Sequence, residues 1–166
     1  MTKRFVASII LIHSLLLAGS LKVGDTISPS LFKSQFEKKI SVADKNILII
    51  TWERSTTDDV NSFISKNLSF IKKQKTSIII DVSTIPHFIF SSFVMPKLQK
   101  YSYEVLLNYD KRFEKSFPHR KNRITLLCLK ESIIQKIFFE KSSKRVAEDM
   151  LTCKRYQKAK SRFIHF

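Results

Sequence analysis

Glycine is almost missing from this chain: of 166 residues only Gly19 and Gly24 are glycine. Phosphate-binding loops and dinucleotide fingerprints need several, because only backbone without Cβ atoms can close its N–H groups on a phosphate. Two glycines build neither, so P-loop and Rossmann-type nucleotide binding are excluded. Cysteine is as sparse, with Cys128 and Cys153 alone, and neither Cys-x-x-Cys nor His-Glu-x-x-His spacing occurs. His87, His119 and His165 are far apart in sequence. Without zinc-site spacing, no metal or other cofactor is expected. Acid is the scarcer charge, with 14 Asp+Glu against 30 Lys+Arg and a net +16. That excess points to an anionic partner, whether membrane surface, acidic glycan or nucleic acid. The plainer reading is a solvated surface whose lysines accompany abundant Ile, Phe and Asn, all residues with AT-rich codons.

What is present begins with Met1-Thr2-Lys3-Arg4, a short basic segment, followed by an apolar run from Phe5 to Ala18 broken by Ser8, His13 and Ser14. Ala18-Gly19-Ser20 supplies the small residues a signal peptidase reads, which predicts a cut before Leu21. The run is shorter than the roughly 18–20 residues a spanning helix needs. Residues 1–20 therefore read as a signal peptide, and the protein as exported, to the periplasm. Export makes nucleic acid the weakest of the anionic partners. An anionic membrane surface or another exported protein remains.

Further along, Asn46 to Trp52 is an unbroken β-branched and apolar run, the pattern of a strand buried on both faces. Ser55 and Thr56 each stand three residues before an acid, Asp58 and Asp59, which predicts a helix start there. Val60, Phe63, Ile64, Leu68 and Ile71 form its apolar stripe. The unit repeats: a strand over Thr76 to Val82, a turn at Thr84-Ile85-Pro86, then a stripe of Phe90, Phe93, Val94, Leu98 and Tyr101 that Pro96 kinks or restarts. Tyr103 to Tyr109 is a third strand-like run, and Lys111 to Asn122 a basic connection. Arg123 to Leu129 and Ser132 to Phe139 predict a hairpin around Lys130-Glu131. A closing helix follows from Ser142, with Val146, Ala147, Met150 and Leu151 on one face. Leu21 to Lys39 reads as an irregular or weakly extended lead-in. The expected fold class is α/β, a central mixed β-sheet flanked by helices, over residues 21–151, with a basic tail at 152–166.

This order resembles the thioredoxin-like superfamily. Val23-Gly24-Asp25-Thr26-Ile27 is similar to the lead-in of its peroxiredoxin-like and TlpA-like exported branch. Ile78 to Leu151 most resembles the periplasmic YtfJ-like proteins, through the step from Val82 to Pro86 and the ending from Ile124 to Leu151. The resemblance implies a thioredoxin-like sandwich with its chemistry just after the first long strand, where redox members carry a cysteine at a helix N-terminus. Here that place reads Trp52-Glu53-Arg54-Ser55-Thr56-Thr57-Asp58. The cis-proline expected before the antiparallel strand is replaced by Asn122-Arg123. A hydroxyl nucleophile at Ser55 or Thr56 would need a positioned base, and no histidine is near in sequence, so capping is the favoured role.

Cys128 and Cys153 form an even pair in an exported chain, which admits a disulfide. The expectation here is two separate thiols, since mid-strand Cys128 and Cys153 beyond the closing helix read as lying at different heights on the sheet. A basic cluster at Lys111, Arg112, Lys115, Arg120, Lys121 and Arg123 lines the connection before the hairpin. A second, Lys154, Arg155, Lys158, Lys160 and Arg162, fills the tail and is a candidate contact with an anionic membrane surface. The expected function is a non-catalytic binding or accessory protein. The alternatives are a thiol-redox accessory using Cys128 or Cys153, and membrane association through the tail.

Overall fold

Ile47, Leu48, Ile49 and Ile50 are wholly shut from solvent, and they form the middle of the strand on which the domain is organised. A computed structural model describes residues 19–28 and 31–158. Its elements are β1 (Leu31–Ser34), β2 (Lys39–Ser41), β3 (Ile47–Thr51), α1 (Arg54–Lys66), α2 (Leu68–Lys73) and β4 (Thr76–Asp81). Then come α3 (His87–Ile89), a π-helical turn (Phe90–Val94), α4 (Met95–Leu98), β5 (Leu106–Asn108), α5 (Phe113–Ser116), β6 (Ile124–Lys130), β7 (Ile133–Glu140) and α6 (Ser143–Lys158). The strands make one seven-stranded sheet in the order β2-β1-β5-β4-β3-β6-β7. β3, β4 and β5 run parallel, and β1, β6 and β7 pair antiparallel with their neighbours. The expected mixed sheet flanked by helices is what forms.

Period-two alternation sends β3 into two cores. Ile47 and Ile49 join Val60 and Ile64 of α1 and Val146 and Met150 of α6; Leu48 and Ile50 join Phe32, Phe113 and Phe117 on the opposite face. Each such isoleucine or leucine contributes roughly 1.5–3 kcal/mol by leaving water. A strand coated on both faces must be continuously apolar, which is why the run was legible without alternation.

Several expectations need correction. The lead-in is not irregular throughout, since Leu31–Ser34 and Lys39–Ser41 pair as a hairpin that extends the sheet beyond β5. The helix after β3 is not continuous: it breaks at Asn67, whose side-chain amide donates to the Phe63 carbonyl at 2.8 Å while its backbone N–H turns to Ile64. Such local bonds compete with the helical ladder. The third strand is trimmed to three residues. Within the basic connection, Phe113 and Phe117 are buried and stacked, centroids 4.2 Å apart, so this segment closes a core rather than crossing solvent. The hairpin turn places Glu131 and Ser132 at φ 51° and 64°. Both are positive, as a two-residue type I′ turn requires, without the glycine that normally relieves it.

The second helical stripe fails at Phe93, which is 67% exposed, while Phe90 and Leu98 are buried. Pro96 lacks an N–H, and its ring collides with the carbonyl four residues back. The turn before it widens to π spacing, and the extra residue rotates Phe93 out of the stripe.

α6 runs parallel to β6, and its stripe of Val146, Met150 and Cys153 covers Ile124, Leu126 and Cys128. Asp59 of α1 holds its start, accepting from the Ser143 N–H at 2.7 Å and the Ser143 hydroxyl at 2.8 Å. Asp59 thus caps α6, not α1. Farther along the helix, burial first and then the neighbouring Glu140 carboxylate push the Asp149 pKa up to about 6, from 3.8. The folded state then holds this proton more tightly than the unfolded chain. Stability therefore falls as pH rises from about 4 to about 6 and stays lower above that. Asp149→Asn is expected to stabilise by about 1 kcal/mol near pH 7.5, after discounting for solvent screening, and to be neutral near pH 4. Thermal unfolding at both pH values checks this, with a Tm gain of about 3 °C at the higher one only.

Candidate functional site

At the end of β3 the chain passes through Trp52 into α1, and Glu53 caps the helix. The Glu53 carboxylate accepts from the Thr56 backbone N–H, and the Thr56 hydroxyl accepts from the Glu53 N–H at 3.3 Å, a reciprocal capping box. The cap is therefore Glu53, two residues before the expected Ser55 and three before Thr56, and its partner is Thr56 rather than Asp58 or Asp59. Ser55 and Thr56 sit inside the first turn. The Thr56 hydroxyl donates to the Glu53 carbonyl at 2.8 Å, and the Thr57 hydroxyl donates to Thr51 Oγ1 at 2.9 Å. Ser55 is exposed. Asp58 pairs with Lys97 of α4 and with Arg54 at 3.6 Å. A thiolate at a helix start is stabilised by free N–H groups and the dipole. Here the chain's own carboxylate takes that place.

The same carboxylate reaches across to the loop before β6, accepting from the Asn122 N–H at 2.8 Å. Asn122 has φ 56°, a conformation asparagine tolerates better than most residues. No cis peptide bond occurs among the described residues. His119, absent from the candidate residues, comes to rest on this cluster. Its Nδ1 is 3.0 Å from Glu114, its Nε2 is 3.8 Å from Glu53, and its ring lies 4.5 Å from that of Trp52. The Trp52 indole N–H donates to the buried Thr125 hydroxyl at 3.1 Å, which donates in turn to the Pro118 carbonyl. Nothing in the spacing of His119 marked it. Only the return of β6 beside β3 brings it here.

On the other side of α1 a cleft of ≈ 470 Å³ opens between α1, the end of β4 and the π-turned helix. Its walls include Trp52, Ile85, Phe93, Val94 and Leu98. The Tyr101 hydroxyl is sealed from water without a hydrogen-bond partner. Burial, with the Asp58 charge adding, raises its pKa. Across the cleft, Asp81 is tied to the Asn108 amide at 2.7 Å and the Ser83 N–H at 3.1 Å. The cleft was not legible, because its walls come from three segments and its rim from the displacement of Phe93.

Cys128 and Cys153 are joined by a disulfide, Cα atoms 5.2 Å apart, so the expectation of separate thiols is overturned. From Ile124 to Cys128 the strand climbs about 13 Å, and from Val146 to Cys153 the helix climbs about 10 Å. With both starting at the same end, the two cysteines finish level. They are 1% and 0% exposed and lie at the end of the sheet away from Trp52. Among the described residues no group of three or more His, Cys, Asp or Glu could hold a metal, and no helix is long and apolar enough to cross a membrane. Arg112 of the first basic cluster is forked on Asp110, and Arg120 lies 4.3 Å over the Phe139 ring. Lys154 and Arg155 are on α6, which runs into the tail segment. The side chain of Lys158 and all of Lys160 and Arg162, like the apolar run to Ala18 that was expected to be a signal peptide, lie outside the described residues.

No protein-family model matches the chain, and no curated protein does. Solved structures do. A PrxQ from Xylella fastidiosa superposes with a TM-score of 0.58 at 10% identity, over 83% of this chain and 98% of that one. The fold is thioredoxin-like. A peroxidoxin, BcpB, from Mycobacterium tuberculosis gives 0.58 at 12% identity over 84% and 99%. A putative thioredoxin from Neisseria meningitidis gives 0.58 at 17% over 85% and 99%. The thioredoxin-like fold is thus shared with thiol-redox proteins, while the helix start after its central strand carries a capping box and no cysteine.

Proposed function

We propose that this is a non-catalytic thioredoxin-fold protein, exported to the periplasm and related to the periplasmic YtfJ-like proteins, that binds a partner or ligand in place of performing thiol exchange. The observation that carries the reading is the Glu53 carboxylate at the start of α1, where it accepts from the Thr56 N–H and leaves no cysteine in that place. The buried Cys128–Cys153 bridge supports an oxidising compartment, where disulfides persist, and the basic segment, apolar run and small residues before Leu21 support export. In an insulin-reduction assay the protein is expected to show no rate above the dithiothreitol background. Thiol titration is expected to find no reactive thiol in the native protein, and two after denaturation and reduction. A reductase rate abolished by a cysteine substitution would sink the proposal.

The bridge also favours one other reading, a thiol-redox accessory working through Cys128 or Cys153. That reading needs an attacking thiolate to reach sulfur atoms in a sealed core. Rapid reduction of the folded protein in the same titration would restore it.

A further inference from the structure

We propose that the free edge of β7 pairs with β7 of a second copy of this chain, antiparallel and centred on Phe138, joining the two sheets into one. β7 is the last strand of the sheet. The lead-in covers only its first two residues: Thr26 bridges Ile133, and Gly24 and Asp25 exchange backbone bonds with Ile134. From Lys136 to Glu140 no other described segment pairs with that edge. An uncovered edge presents N–H and C=O groups that template a further strand.

The backbone limits the register. The Leu129 N–H donates to the Asn46 carbonyl, on the β3 side of β6. Successive residues of a strand direct their backbone groups to opposite edges, so Ile124, Leu126 and Cys128 face β7. Their partners there are Glu140, Phe138 and Lys136. Ile137 and Phe139 are therefore the residues whose backbone groups point outward. The dyad between two such edges can fall on residue 137, 138 or 139. Only at Phe138 does Ile137 of each copy meet Phe139 of the other, so that every outward N–H finds an outward C=O.

The same register matches charge. Lys136 of each copy falls opposite Glu140 of the other, with the two Phe138 rings between them. Cross-strand neighbours have Cβ atoms about 5 Å apart, within reach of an ion pair. Among the described residues neither Lys136 nor Glu140 forms a salt bridge. Glu140 instead lies against the Asp149 carboxylate, and a lysine from the second copy relieves that like-charge contact. A dyad at residue 137 or 139 leaves both charges opposite uncharged residues. An edge lysine ordinarily deters pairing, and this register alone turns it into attraction.

The contact is short, so the expected dimer is weak, with Kd on the order of 10 µM. Sedimentation velocity of the full chain is expected to show monomer passing to dimer between about 1 and 100 µM. Salt of about 0.15 M keeps repulsion between two basic molecules screened beyond about 8 Å. Lys136→Glu and Glu140→Lys each set like charges opposite one another, and each is expected to weaken association about tenfold or more. Mixing these two variants restores opposite charges at both places and is expected to recover the dimer. Recovery in the mixture also shows that both variants fold, and it separates this edge from self-association elsewhere. The proposal is overturned if the parent stays monomeric throughout, if either variant alone dimerises like the parent, or if the mixture remains monomeric. None of these outcomes alters the thiol count or the reductase result, so the dimer and the non-catalytic reading fail separately.

Discussion

Replacing Cys128 and Cys153 together by alanine is expected to destabilise the domain by about 3–4 kcal/mol, a fall in Tm of about 10 °C. The bridge spans a sequence separation of 25, and in the chain-entropy account a loop of that size contributes a little over 3 kcal/mol by restricting the unfolded chain. Small losses of packing add to this, since both sulfur atoms lie among Ile47, Val146 and Met150 in one core. Denaturant melts of the oxidised protein and the double variant measure the difference. Incubation with reductant in native buffer, followed by its removal, should leave the parent's melting unchanged, because a thiolate cannot approach residues this buried. Reductant in denaturant should bring it to the variant. A double variant within about 1 kcal/mol of the parent would mean that α6 is held by its stripe alone.

The second large effect lies at the helix cap. Glu53→Ala is expected to cost about 2–3 kcal/mol, lowering Tm by about 7 °C. The substitution orphans the Thr56 and Asn122 N–H groups at once and leaves His119 facing only Glu114. Glu53→Gln keeps an acceptor of the same length and is expected to recover about half of the loss. Trp52 emission should shift to the red in the alanine variant and stay near the parent's in the glutamine one, because the loop from Pro118 to Asn122 screens the indole. Equal melting of the alanine variant and the parent would show that water satisfies the helix start, and the cap would then no longer support the non-catalytic reading.

These effects divide sharply in how visible they were in the chain. The continuous apolar runs at Ile47–Thr51 and Thr76–Asp81 announced doubly buried strands, because a strand coated on both faces has no polar position to hide. The stripe of Val60 and Ile64 and that of Val146 and Met150 announced helices on a sheet. The lead-in strands escaped, since four-residue and three-residue edges carry too little periodicity to stand out. The capping residue escaped because Glu53 seldom takes that role, while Ser55 and Thr56 have the chemistry that usually does.

By itself the sequence determined the α/β order, the lack of glycine-rich nucleotide loops and the missing cysteine after the central strand. All three depend on which residues are present and on local period, and no folding is needed to read them. The tertiary structure decided what stands at the helix start after the central strand, a carboxylate shared between α1 and the Asn122 loop. It also decided that Cys128 and Cys153 meet, and that Phe93 leaves its core to rim a cleft. Each of those depends on distances between segments far apart in the chain: the parallel climb of β6 and α6, the return of β6 beside β3, and the slip that Pro96 imposes on its helix.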